Sequence, residues 1–159
     1  MFTDQNLLTD MDVIHMKSAL LLADEAAAAD EVPVGALIVQ GDRVIAAARN
    51  SRERDKCATH HAEILAIEEA CRKLGGWRLP KCTLYVTLEP CPMCAGAIAN
   101  ARIGRVVFGA YDAKAGAYGS LLHMEELPLN HRPTVVGGVM EEECRALLSA
   151  YFRNKRKNK

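Results

Sequence analysis

The chain has 159 residues, half of them hydrophobic and a quarter charged, with 20 basic side chains balanced by 20 acidic ones. That length suits one compact domain around a single core, the composition is ordinary for a globular chain, and no window is apolar enough to span a bilayer. The zero net charge hides an uneven distribution. Through residue 31, seven acidic residues (Asp4, Asp10 and Asp12 among them) stand against Lys17 alone, whereas a basic end, about residues 153–159, holds Arg153, Lys155, Arg156, Lys157 and Lys159. The N-terminus shows no basic region followed by an apolar core, so no secretory signal is expected and the protein is assigned to the cytoplasm. In that reducing compartment the six cysteines do not read as three disulfides. Cys71, Cys82 and Cys144 read as buried small hydrophobes.

Residues 11–29 are alanine-rich, and Met11, Ile14, Leu21 and Leu22 fall roughly on one stripe, which predicts a first amphipathic helix used for packing. His15, with no partner nearby in sequence, reads as a surface or core histidine. Pro33 and Gly35 open a strand over 34–39, Gly41-Asp42 make a turn, and a second strand runs over 43–48, giving a hairpin. In the polar loop that follows, Asn50 reads as a turn residue, with a base contact as the alternative.

A second helix opens at His61-Ala62-Glu63, carries Ile64, Ile67, Cys71 and Leu74 at helical spacing, and stops at Gly75-Gly76. The third strand, 83–88, leads through Pro90-Cys91-Pro92-Met93-Cys94 into a short helix whose first turn suits Pro92. A fourth strand over 105–108 arrives after that helix and is therefore expected parallel to the third. Residues 112–133 form a long irregular loop with Lys114, Gly116, Gly119 and His131, extended enough to be a lid or a binding surface. A short fifth strand at 134–136 precedes a last helix from about Met140, with Cys144, Leu147, Leu148 and Tyr151 as its buried stripe. Strands interleaved with helices predict an α/β architecture whose central mixed sheet of five strands is covered on both faces. With no repeat or low-complexity linker, residues 1–159 read as a single domain.

Two thiols with two residues between them, at a strand-to-helix junction, make half of a metal site. The positive end of the helix favours the thiolates that a metal requires. His61 offers a third ligand of the kind zinc prefers. Three protein ligands leave a tetrahedral zinc one open position for water, whose pKa the metal brings near neutrality, and Glu63 is then better read as a proton shuttle than as a ligand. His-x-Glu followed by Pro-Cys-x-x-Cys is the signature of zinc-dependent nucleobase and nucleoside deaminases. Two other readings stand beside this one. Cys57, His61, Cys91 and Cys94 would satisfy a closed structural zinc module, which makes Glu63 redundant; and a deaminase of a free base or nucleoside, of guanine or cytosine type, would share the same metal chemistry.

Further stretches narrow the choice. Val32-Pro33-Val34-Gly35-Ala36, Asn50, His61-Ala62-Glu63, the run from Leu84 through Glu89-Pro90-Cys91-Pro92-Met93-Cys94 to Ala97, Arg105-Val106-Val107-Phe108-Gly109-Ala110, Asp112-Ala113-Lys114, Gly119-Ser120-Leu121, Asn130-His131-Arg132 and Tyr151-Phe152-Arg153 together resemble the bacterial tRNA-specific adenosine deaminase family of the cytidine deaminase-like superfamily. The resemblance implies a three-layer α/β/α sandwich with one Zn2+ per chain on His61, Cys91 and Cys94, and Glu63 as the residue that moves protons. It further implies that Asn50 hydrogen-bonds the flipped adenine, with Asp112 and Arg153 as additional substrate contacts. The activity implied is hydrolytic deamination of adenosine to inosine at the wobble position of a tRNA anticodon stem-loop, by a homodimer whose partner subunit helps bind the RNA. One stretch departs from the family, which usually has Thr-Ala-His-Ala-Glu where this chain has Cys57-Ala58-Thr59-His60-His61-Ala62-Glu63. The ligand is assigned to His61 because it stands two residues before the glutamate.

Overall fold

The computed structural model describes residues 9–158; Asp4 of the acidic N-terminal group and Lys159 of the basic end lie outside the described residues. Five strands, β1 (Gly35–Gln40), β2 (Arg43–Arg49), β3 (Cys82–Leu88), β4 (Arg105–Ala110) and β5 (Thr134–Val136), form one sheet in the order β2-β1-β3-β4-β5. β1 runs antiparallel to both neighbours, while β3, β4 and β5 are parallel. The helices are α1 (Asp10–Ala28), the single turn α2 (Arg52–Asp55), α3 (Ala62–Leu74), α4 (Pro92–Asn100) and α5 (Glu141–Lys157).

Alternation along the strands sends side chains to two separate cores. Ala36, Ile38, Leu84, Val86, Val106 and Phe108 pack with Ala62, Ala66, Ala70 and Ile98 of α3 and α4. Leu37, Val39, Tyr85 and Val107 pack with Met16 and Ala19 of α1 and with Cys144 of α5. The result is the expected three-layer α/β/α sandwich around a mixed five-stranded sheet.

Two local expectations need correction. In α1 the buried face is Asp12, His15, Met16, Ala19, Ala23 and Ala26, whereas Met11, Ile14 and Leu21 of the expected stripe are exposed. The helix approaches the sheet most closely at Gly35, where a Cβ would lie 2.1 Å from the Ala19 carbonyl oxygen, and the alanines Ala19 and Ala23 face that crossing while Met16 fills the core beside it. The loop after β2 contains α2, whose Glu53 and Arg54 N–H groups are accepted by the buried Glu31 carboxylate at 2.9 and 2.8 Å. The basic end continues the last helix: α5 stays helical to Lys157, with Glu141, Glu142 and Glu143 in its first turn and Lys155, Arg156 and Lys157 in its last, an arrangement that complements the helix dipole. Cys82 and Cys144 are buried as expected, Cys71 only partly so, and all six cysteines are free. The 112–133 segment is irregular apart from a 3-10 turn at Met124–Glu126 and a bridge between Tyr118 and His123.

Candidate active site

Two helix N-termini meet at the C-terminal end of β3. Cys91 caps α4 in an extended conformation with Pro92 in the first turn, and His61 caps α3 in the same way. These caps bring His61 Nδ1 to 3.7 Å from Cys91 Sγ and 3.6 Å from Cys94 Sγ. In a tetrahedral site with metal–sulfur bonds of about 2.3 Å and metal–nitrogen bonds of about 2.0 Å, nitrogen and sulfur ligands stand about 3.6 Å apart, so both nitrogen–sulfur distances suit a shared metal, and all three donor atoms lie within 4.8 Å of one another. Cys57 does not join this group of ligand atoms; its Sγ meets Thr59 Oγ1 at 3.4 Å, and His60 pairs with Asp55 at 2.7 Å. A closed site with Cys57 as fourth ligand is therefore not assembled among the described residues.

The electrostatics follow from the crowding. The hydrogen bond with Cys94, together with that from His61, outweighs burial and draws the Cys91 thiol down to about 4. Cys94 is raised by the hydrogen bond to Cys91 and by its own burial, and His61 is raised chiefly by its hydrogen bond to Cys91. Metal uptake must therefore displace protons. Glu63, in the first turn of α3, is 4% exposed, and that burial pushes its carboxyl up to about 7.

Above these groups lies a cavity of about 160 Å3. His61, Glu63 and Cys91 line it, with Val32, Val34 and Asn50 among the other wall residues on the β1–β2 side, and Leu88, Asp112 and Ala115 contributed by the end of β3 and the loop after β4. Asn50 makes a turn: its Nδ2 donates to the Val32 carbonyl at 3.2 Å, and its Oδ1 accepts the Arg52 N–H at 3.3 Å. It is also part of the cavity wall, so the turn role and a base contact are compatible. Asp112 Oδ1 accepts N–H groups from Lys114 and Ala115, which shapes the start of the loop.

Arg153 is not in this cavity. It is exposed on α5 and lines an adjoining groove of about 880 Å3, which shares Val32, Leu88 and Asp112 with the cavity and adds Lys114, Arg145, Phe152 and Arg156. Lys155 points elsewhere, pairing with Asp30 at 2.9 Å beside a hydrogen bond from the Tyr151 hydroxyl to the same residue. Sequence reasoning missed Glu31 and Glu89, buried carboxylates that organise the loops on either side of the cavity. The available signal was a carboxylate placed in an apolar strand end, Leu88-Glu89-Pro90, which has to be matched by donors.

Comparison with known proteins shows the family. Residues 10–153 match the family model of MafB19-like deaminases. A tRNA-specific adenosine deaminase from Bacillus subtilis is 51% identical over 149 residues, spanning 93% of this chain and 92% of that protein. The chain belongs to the tRNA-specific adenosine deaminase family. Among solved structures, one from work on A-to-I editing by tRNA:A34 deaminases at the wobble position of transfer RNA superposes with a TM-score of 0.81 at 46% identity, covering 83% of this chain and 96% of that one. A guanine deaminase from Nitrosomonas europaea is more distant, with a TM-score of 0.70 at 28% identity over 86% of this chain and 81% of that one. The fold is thus shared with deaminases of free bases, whereas the higher identity lies with the RNA-acting relatives.

Proposed function

We propose that this chain hydrolytically deaminates adenosine to inosine at the wobble position of tRNA anticodons, with one zinc ion per chain held by His61, Cys91 and Cys94. The observation that carries this reading is a three-donor metal cluster with a buried carboxyl beside it, in a small cavity that opens onto a groove with basic and aromatic lining. Bound zinc would supply a water acidified toward neutral pH at its open fourth position. Glu63 accepts a proton from the attacking water and delivers one to the departing amino group as the bond between C6 and its exocyclic nitrogen breaks and ammonia leaves. That exchange suits a carboxyl held near neutrality by burial. Asn50, fixed by Val32 and Arg52, retains a second N–H and a second lone pair with which to hold the extruded adenine.

Asp112 stands where the cavity meets the groove, and Arg153, with Arg156, Lys114 and Phe152, lines the path for flanking nucleotides, whose phosphates and bases such side chains suit. The residues 1–159 act as a single domain. The chain works as a homodimer, a reading supported by the exposed Leu121, Leu122, Leu127 and Leu129 in the loop after β4, and it works in the cytoplasm, a reading supported by its likeness to a bacterial tRNA-modifying enzyme. Among the described residues, no helix is long and apolar enough to cross a membrane. The test is to incubate the purified zinc-loaded protein with an anticodon stem-loop carrying adenosine at the wobble position. Inosine is expected there, and its absence would refute the reading.

A further inference from the structure

Glu89 follows the last residue of β3 and precedes Pro90-Cys91, so it sits on the turn that delivers one of the metal-cluster thiols, and it is only 2% exposed. A carboxylate at that depth needs donors around it. Among the described residues, those donors come from the loop after β4. Oε1 accepts the Asp112 N–H at 3.0 Å and the Ser120 hydroxyl, and Oε2 accepts the N–H groups of Tyr118 at 2.9 Å and Ser120 at 3.2 Å. Gly116 lies directly against the carboxylate: a Cβ there would fall 2.2 Å from Glu89 Cδ and 2.4 Å from each oxygen, so the loop can wrap this closely only around a glycine. The Pro90 carbonyl accepts the Ala117 N–H at 2.8 Å, a second clasp between the same two segments.

The held segment contributes Asp112 and Ala115 to the cavity wall, while the holding segment contributes Leu88, Glu89 itself and Cys91. We infer that Glu89 is a positioning residue, whose carboxylate fixes the 112–120 loop relative to the Pro-Cys turn and so sets the wall against which the extruded base is held. The substrate in this role rests on the adenosine deaminase reading above; the anchoring geometry does not.

Glu89→Gln keeps the size of the side chain but turns one acceptor into a donor that faces N–H groups. In the zinc-loaded full chain, the amides of Tyr118 and Ser120 should exchange with solvent at least about tenfold faster. KM for the wobble-adenosine stem-loop should rise by about tenfold to a hundredfold, with zinc content unchanged and a smaller fall in the single-turnover rate at saturation. Gly116→Ala, which drives a methyl group into the same carboxylate, should give the same pattern, and Ser120→Ala a smaller shift of the same sign; these two carry the test if Glu89→Gln does not fold. A lower melting temperature with unchanged KM across the folded variants would overturn the proposal, as would unaltered exchange at Tyr118 and Ser120, or zinc loss from Glu89→Gln. Should the wild type make no inosine in the stem-loop, the substrate reading falls, and the exchange pattern alone decides whether Glu89 anchors the loop.

Discussion

Glu63 carries the sharpest residue-scale consequence, because a proton shuttle must hold and release a proton without contributing to the metal's ligand set. Its burial keeps the carboxyl near neutrality, where both states are accessible. Glu63→Gln should retain zinc and the fold yet lose at least about a hundredfold in stem-loop deamination, the lower range for general acid–base work. Metal analysis alongside single-turnover rates checks this, and near-normal turnover would remove Glu63 from the mechanism. His61, Cys91 and Cys94 were legible as one cluster because metal donors recur at short, type-specific spacings at helix starts. Glu89 was not, because its partners lie 23 to 31 residues away and are mostly backbone N–H groups, which every residue type but proline supplies.

At the scale of elements, α1 shows where pattern reading fails and what holds the helix instead. Large apolar residues at helical spacing point to Met11, Ile14 and Leu21, but the buried face is Met16 with Ala19, Ala23 and Ala26, closest to the sheet at Gly35, and a polar tie completes the packing. Asp12, fully buried, accepts the Tyr85 hydroxyl at 2.7 Å from β3, both Arg105 terminal nitrogens at 2.7 Å from β4, and the Thr9 N–H at 2.9 Å from its own cap. Burial would raise this carboxyl, yet the hydrogen bonds from Arg105 and Tyr85 more than offset it and hold Asp12 below the usual carboxylate range. A depressed folded-state pKa means that the stabilisation is complete above the unfolded value of about 3.9 and is lost as the pH falls through the lower folded value. Asp12→Asn removes the carboxylate that receives the hydrogen bonds of Tyr85 and Arg105 and should cost about 1.5 to 3 kcal/mol at pH 7. That deficit should shrink as the pH drops below about 4. Urea unfolding of both proteins across pH tests this, and a deficit that is absent at pH 7 or constant into acid would contradict it.

For the whole molecule, the layer order and the parallel pairing of β3 with β4 were legible because a helix between two strands dictates a crossover. The groove beside α5 was not legible, since it is made by residues from four distant segments. Charge alone groups Lys155 with Arg153 and Arg156, but its pairing with Asp30 separates it from them. Replacing Arg153 and Arg156 with glutamine should therefore weaken stem-loop binding and flatten its salt dependence, by about 0.7 in log–log slope for each single-strand phosphate left without its arginine, with little change in the chemical step. Equal slopes for wild type and variant would exclude these arginines from the RNA path. The central claim is the choice of substrate, because the same metal cluster and glutamate serve several bases and the surrounding side chains discriminate among them. A site that draws binding energy from flanking nucleotides should also turn over a truncated substrate more slowly. Competition kinetics tests this most directly, with a wobble-adenosine stem-loop set against free adenosine, cytidine and guanine. The stem-loop is predicted to have by far the highest kcat/KM, and a free base or nucleoside that equals or exceeds it would contradict the assignment to tRNA.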